Sequence, residues 1–154
     1  MRAVYRVLAY LVAIGVAIQA MSIAFATTGL RKWVDGGGVY DKAVLEDREG
    51  TPFPEAVGSI VHGMNGIMVI PILALLLLIA SLFAKVPRGI QAAGLVLLLV
   101  VIQVALGIYG RSYPFLGALH GLNALILLGA ALNAARLASR LRTEADRMSM
   151  TAPA

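Results

Sequence analysis

The sequence predicts an all-α membrane protein, a polytopic four-helix up-down bundle with a two-fold internal repeat of helix pairs. Three observations predict this fold class. Of the 154 residues, 60% are hydrophobic and 14% are charged, whereas a soluble domain has roughly 45–50% apolar residues and about 25% charged ones. Four apolar blocks are each long enough for a span of about 20 residues. A few polar residues recur at matching places in the two halves of the chain.

The first predicted span covers residues 4–30. Arg2, Arg6 and the small-x-small run Ala24-Phe25-Ala26 also fit a cleaved signal peptide. The apolar run is longer than a secretory apolar region usually is, which favours a span that is retained.

Residues 31–55 form the predicted outer loop. Gly36-Gly37-Gly38 and the charged run Glu46-Asp47-Arg48-Glu49-Gly50 are typical of turns. A triple glycine can cradle a phosphate, but no Lys-Ser/Thr pair follows and no strand precedes it, so a flexible loop is the better interpretation.

The remaining spans are predicted at 56–84, 90–109 and 115–137, followed by a cytoplasmic tail at 138–154. Pro71 lies inside the second span and predicts a kink, because neighbouring groups in a membrane helix can satisfy the carbonyl that proline frees. A chain of 154 residues with four such spans leaves room for one bundle and no second domain.

The distribution of Lys and Arg predicts the orientation. Eight of these residues fall on one side of the membrane, namely Arg2, Arg6, Lys85, Arg88, Arg136, Arg140, Arg142 and Arg147. Five fall on the other side, among six acidic residues. Both termini are therefore predicted in the cytoplasm, in a bacterial-type inner (cell) membrane, with the lipid bilayer as the first partner. No basic surface interleaved with aromatics supports nucleic-acid binding.

The only two histidines occupy the same pattern, His-Gly-x-Asn, in the second and fourth spans. The first copy is His62-Gly63-Met64-Asn65 and the second is His120-Gly121-Leu122-Asn123. A glutamine in the preceding span, Gln19 or Gln103, completes each half of the predicted repeat. Without cysteine, any metal chemistry must depend on these two histidines.

An ionisable residue inside a span is a functional candidate by default. His62 and His120 should share one depth, about 9 Å from the outer ends of helices that are diagonal in an up-down bundle. A porphyrin iron with one histidine on each side fits this arrangement, so we predict bis-His heme b binding. Gly63 and Gly121 would give the macrocycle clearance, and Asn65 and Asn123 would orient the rings or fix helices together. At the outer ends, Arg31, Lys32 and Arg111 are the candidates to pair with propionates.

Other interpretations of the histidines stay open. A buried neutral histidine can simply form a hydrogen bond between helices, where glycine and asparagine are also common. Zinc or copper is a weaker candidate, because two histidines with no further His, Asp or Glu leave the coordination sphere short.

The topology, the histidine placement and the repeat resemble the heme A synthase superfamily over roughly residues 3–138. Small four-span bacterial membrane proteins with a His-Gly-x-Asn fourth helix look closer still. The resemblance implies that His62 and His120 are a heme-ligand pair, and that a single four-helix unit could work as a homodimer. Ser59 stands where that family has a Glu linked to its oxidation chemistry, and the family's frequent cysteine pair is missing. Both departures argue against heme A synthesis.

The leading hypothesis is therefore a heme b protein for electron transfer or heme handling, working with a quinone or within a respiratory-type membrane complex. The sequence leans against an enzyme, because the spans contain no nucleophile with a base and no carboxylate pair. The alternative is a non-catalytic accessory or assembly subunit of a larger membrane complex without a cofactor. A transporter would need a continuous polar path, which the apolar inner half does not offer.

Overall fold

A computed structural model describes residues 1–46 and 50–151, with the side chains of 45 and 140–151 left out of the description. The structure contains four long helical spans: α1 (Arg2–Asp35), the segment Pro54–Ala84, α5 (Gly89–Tyr109) and α6 (Pro114–Thr151). All four are long and apolar enough to cross a membrane. The predicted all-α membrane bundle is thus confirmed, and the described residues contain no strand.

Two helices extend beyond the predicted spans. Helix α1 continues to Asp35, and ends where Gly37 takes a positive φ of 97° that glycine adopts without strain. Helix α6 continues to Thr151, through much of the predicted tail. Apolar content marks the part of a helix that crosses the bilayer, but helix formation requires only compatible backbone and side chains. Residues 152–154 of the predicted tail and 47–49 of the predicted loop lie outside the described residues.

The predicted outer loop contains a short helix, α2 (Lys42–Glu46), and a 3-10 turn, Pro54–Ala56, that starts the second span. Buried Phe53 stacks on Trp33 with ring centroids 5.5 Å apart. Lys32 forms an ion pair with Glu55 at 3.0 Å. These contacts join the end of α1 to the start of the second span.

The second span is a continuous helix with an irregular centre. Helix α3 (Val57–Met64) passes into a π-helical turn (Asn65–Val69), and then into α4 (Ile70–Ala84). Pro71 is the second residue of α4 and comes directly after the π-helical turn, so the N–H that proline lacks falls where the regular α-helical bonding is already interrupted. The irregularity expected at Pro71 therefore takes the form of a π turn just before it, directly after the first His-Gly-x-Asn copy.

The spans form two antiparallel hairpins: α1 with the second span, and α5 with α6. Helix α1 also packs on α6, and α4 packs on α5. This order makes the second span and α6 diagonal, as predicted, so His62 and His120 belong to different hairpins. We call the end of the bundle that carries Met1 the proximal end, and the opposite end the distal end.

The apolar core lies in the proximal half. Its fully buried members include Tyr5, Val12, Leu77, Val96 and Leu127, accompanied by many alanines. The hydroxyl of Tyr5 donates to the carbonyl of Gly89, linking α1 to the start of α5. The two hairpins are thus held together through their proximal halves.

In the distal half, a glycine in each hairpin lets its two helices approach closely. Gly58 lies against the main chain of α1 at Ser22 and Ala26, and Gly110 lies against the main chain of Gly117. A Cβ at Gly58 or Gly110 would collide with those backbones. The helices within a hairpin therefore stay close at the distal end, while the space between the hairpins opens into a cavity.

Candidate functional site

The cavity between the hairpins has a volume of about 320 Å³ and is lined by all four spans. This volume is at the lower end of the range for small-molecule sites, roughly 300–1,000 Å³. Its lining is mostly apolar, with four polar side chains: Gln19, His62, Gln103 and His120. Both histidines predicted to act together therefore reach one cavity.

The mouth of the cavity lies between α1 and α6. The lining residues that are exposed all belong to these two helices; they are Ala17, Ala20, Ile23, Gly121 and Leu125. The lining residues of the second span and α5 are buried or half-buried. In a bilayer this side of the bundle faces lipid, so an apolar or amphiphilic ligand has a lateral route to the histidines.

His62 is half-buried and is held by α1. Its Nδ1 lies 3.1 Å from the carbonyl oxygen of Gln19. A carbonyl oxygen only accepts, so Nδ1 must carry the proton and donate. In the neutral ring, Nε2 then keeps a free lone pair, which is the form that a metal requires.

His120 is held in the same way by α5. Its Nδ1 lies 3.0 Å from the carbonyl oxygen of Gln103, so Nδ1 again donates and Nε2 is the unprotonated nitrogen. The side-chain amide of Gln103 adds a second contact, with its Nε2 3.2 Å from Nε2 of His120. The same amide nitrogen donates to the main-chain carbonyl of His120 at 3.0 Å.

The two asparagines fix the helices of each hairpin. Asn65 donates to the carbonyl of Gly15 at 3.0 Å, and Asn123 donates to the carbonyl of Leu99 at 3.0 Å. Each acceptor lies four residues before the glutamine whose carbonyl holds the histidine. Asn123 also donates to Oε1 of Gln103 at 2.6 Å. The polar contacts of the two halves thus correspond, while a two-fold repeat of the whole chain stays a prediction.

The imidazole rings of His62 and His120 have centroids 6.0 Å apart and planes inclined by 57°. Two collinear metal–nitrogen bonds of about 2 Å each, with the distances from nitrogen to ring centre added, give roughly 6 Å. The ring separation therefore equals the one that a shared metal ion requires when the two Nε2 atoms face each other. The described residues contain no group of three or more His, Asp or Glu side chains that could hold a metal.

The glycines near the histidines divide into two kinds. At Gly63 and Gly121 an added Cβ would meet nothing within 4 Å, but only Gly121 lines the cavity. At Gly107 a Cβ would lie 3.0 Å from Cε1 of His120, and at Gly66 it would collide with the Gln19 amide. Gly107 was not identified from the sequence, because a glycine on a facing helix has no pattern that links it to a histidine.

The three predicted propionate partners lie away from the cavity lining. Lys32 is paired with Glu55, and exposed Arg31 has its Nε 3.8 Å from Asp35. Arg111 is exposed in the turn between α5 and α6. Ser59, which stands in place of the resembled family's glutamate, is exposed and is also absent from the lining.

Gln19 differs from Gln103 although the two take corresponding positions. Its Oε1 is buried and has no hydrogen-bond partner among the described residues. A buried acceptor without a donor is uncommon in a folded protein. Gln19 therefore lacks the hydrogen bond that the Oε1 of Gln103 receives from Asn123.

The comparisons with known proteins give no match: no family model, no curated protein and no solved structure matches this chain.

Proposed function

We propose that this protein is an integral membrane heme b protein in which His62 and His120 are the two axial ligands, with a role in electron transfer or heme handling. One observation carries the proposal. Two histidines from different hairpins have ring centroids 6.0 Å apart in one cavity, and each has its Nδ1–H held by a backbone carbonyl. A backbone carbonyl that accepts from the non-coordinating ring nitrogen is the usual support of a metal-bound histidine.

The surrounding residues support this role. Gly121 lines the cavity with open space at its Cβ position, and the mouth between α1 and α6 would admit an amphiphilic ring laterally. Bound between two histidines, heme iron would supply reversible one-electron chemistry. The protein would hold the rings, fix their tautomers through the carbonyls of Gln19 and Gln103, and exclude water with the apolar lining.

The resemblance to the heme A synthase superfamily belongs to this proposal, as do the inner-membrane location and cytoplasmic termini. Electron exchange would involve a quinone or a partner subunit, within a homodimer or a larger membrane complex. We propose no oxidation of the heme itself, because Ser59 is exposed and has no acid-base chemistry to offer the cavity.

One observation favours the alternative, a non-catalytic accessory or assembly subunit without a cofactor. His120 already has both ring nitrogens in contact with Gln103, so it can serve as a link between α5 and α6 without any ligand. This alternative predicts copurification with a partner subunit and no bound heme.

The heme proposal is tested by the absorbance of protein purified in detergent after expression with ample heme. We expect about one heme per chain and the reduced-minus-oxidised spectrum of a six-coordinate low-spin heme. His62→Ala and His120→Ala should each abolish the low-spin species, and the double variant should contain no heme.

Met64→Ala and Leu122→Ala are the matched controls, because both side chains are exposed two residues after each histidine. They should retain the wild-type spectrum. A wild-type protein without a heme band, or a band that persists in the double histidine variant, would contradict the proposal.

A further inference from the structure

The two histidine sites match in their backbone contacts but differ at the nitrogen that binds metal. Nε2 of His120 lies 3.2 Å from the amide nitrogen of Gln103. Nε2 of His62 has no such contact within the described part of the chain: the corresponding amide, that of Gln19, lies against Gly66 and leaves its Oε1 unpaired. Nε2 is therefore hydrogen-bonded in His120 but not in His62, so the two candidate ligands are not equally available to a metal.

The orientation of the Gln103 amide is fixed by its other contacts. Its Oε1 accepts from Asn123 at 2.6 Å, and its Nε2 donates to the carbonyl of His120 at 3.0 Å. Rotation of the amide by 180° would place an oxygen against that carbonyl and a nitrogen against the donor of Asn123, so the network permits one orientation. The amide nitrogen consequently presents its second hydrogen to the lone pair of His120 Nε2.

We propose that Gln103 is a positioning residue that occupies the metal-binding nitrogen of His120 until a ligand displaces it, so that His62 is the first ligand and His120 the second. This assignment rests on the proposed metal-binding role of the histidine pair. The displaced amide keeps its contact with Asn123, which leaves it near the site and able to return when the ligand leaves. Because His120 is engaged and His62 is not, the site would favour a ligand whose binding energy exceeds that of the hydrogen bond between Gln103 and His120.

The test uses the full-length protein in detergent, without heme, and the small reagent diethyl pyrocarbonate, which modifies the unprotonated imidazole nitrogen. Modification of each histidine is followed over time by mass spectrometry. The net free energy of a neutral hydrogen bond lowers the fraction of unengaged Nε2, and with it the modification rate, by a factor of about 2 to 10. We expect His62 to react faster than His120 by this factor, and the two rates to become equal in Gln103→Leu.

Gln91→Leu is the matched control, since Gln91 is an exposed glutamine on the same helix, and it should keep the wild-type ratio. Gln103→Met is a second variant that removes the amide at similar length, in case the leucine variant does not fold. Equal rates in the wild type, or an unchanged ratio in a folded Gln103 variant, would overturn the assignment.

A hemin titration separates this assignment from the heme proposal. Apoprotein of Gln103→Leu should bind hemin about 2- to 10-fold more tightly than wild type, because no amide must be displaced. Wild-type protein that shows the expected reactivity difference but binds no hemin would overturn the heme proposal alone. Hemin binding that is unchanged in Gln103→Leu would overturn the role of Gln103 and leave the heme proposal standing.

Discussion

Replacing Gly121 with leucine is expected to abolish ligand binding in the cavity while the bundle remains folded. Gly121 lines the cavity at its mouth, next to His120, and a Cβ built there meets nothing within 4 Å. The Cβ of a leucine therefore displaces no neighbour, and we expect the rest of its side chain to extend over the mouth of the cavity. In a cavity of about 320 Å³ it would take space that a porphyrin beside His120 needs. We expect at least a 100-fold loss of hemin affinity, measured by titration of the apoprotein.

Gly129→Leu is the matched control for this change. Gly129 lies on the same helix, is exposed, and also has open space at its Cβ position, but it does not line the cavity. Both substitutions raise helix propensity by a similar amount, about 1 kcal/mol. If Gly121→Leu bound hemin as tightly as Gly129→Leu, the cavity would not be the heme site.

Replacing Gly58 with alanine is expected to destabilise the first hairpin by about 1–3 kcal/mol, the usual effect of overpacking a close contact. The position of the new methyl group is already occupied by the carbonyl oxygen of Ser22, with the backbone and Cβ of Ala26 close by. Because these are main-chain contacts, α1 and the second span must move apart. That movement also displaces His62 from the carbonyl of Gln19. Reversible unfolding in detergent with increasing denaturing surfactant measures the change.

Gly63→Ala provides the comparison on the same helix, five residues later. Its added methyl group meets nothing within 4 Å, so we expect no loss of unfolding free energy. Equal stability of the two alanine variants would show that the close approach at Gly58 does not hold the hairpin together.

Most of the architecture follows from the sequence. For most span ends, the boundary predicted from the sequence lies within a few residues of the observed one. This is because a run of about 20 consecutive apolar residues is explained only by a segment that crosses a bilayer. Helix ends that lie outside the apolar region are harder to predict from the sequence. Helix α1 continues to Asp35 because its termination depends on the backbone freedom of Gly37. The π turn before Pro71 was expected only as a kink, since the sequence indicates that a proline needs accommodation but not where the helix provides it.

The site shows the same division. His62 and His120 were identified because ionisable residues are rare in apolar spans, and their diagonal placement follows from up-down connectivity. The partners of their Nδ1 atoms could not be identified in this way, because every residue carries a carbonyl and only packing selects Gln19 and Gln103. Arg31, Lys32 and Arg111 illustrate the opposite case, since their charge and position at helix ends did not bring them to the cavity lining.

The sequence by itself determined the membrane class, the number of spans and the two histidines proposed as metal ligands, because each depends on composition or on local spacing along the chain. Only the tertiary structure decided that the hairpins join through their proximal halves and part distally, that the rings lie 6.0 Å apart, and that the Gln103 amide contacts Nε2 of His120. These features depend on how helices approach one another. That approach is set by where glycine lets backbones touch and where larger side chains keep them apart, which is a property of facing surfaces and not of any one segment.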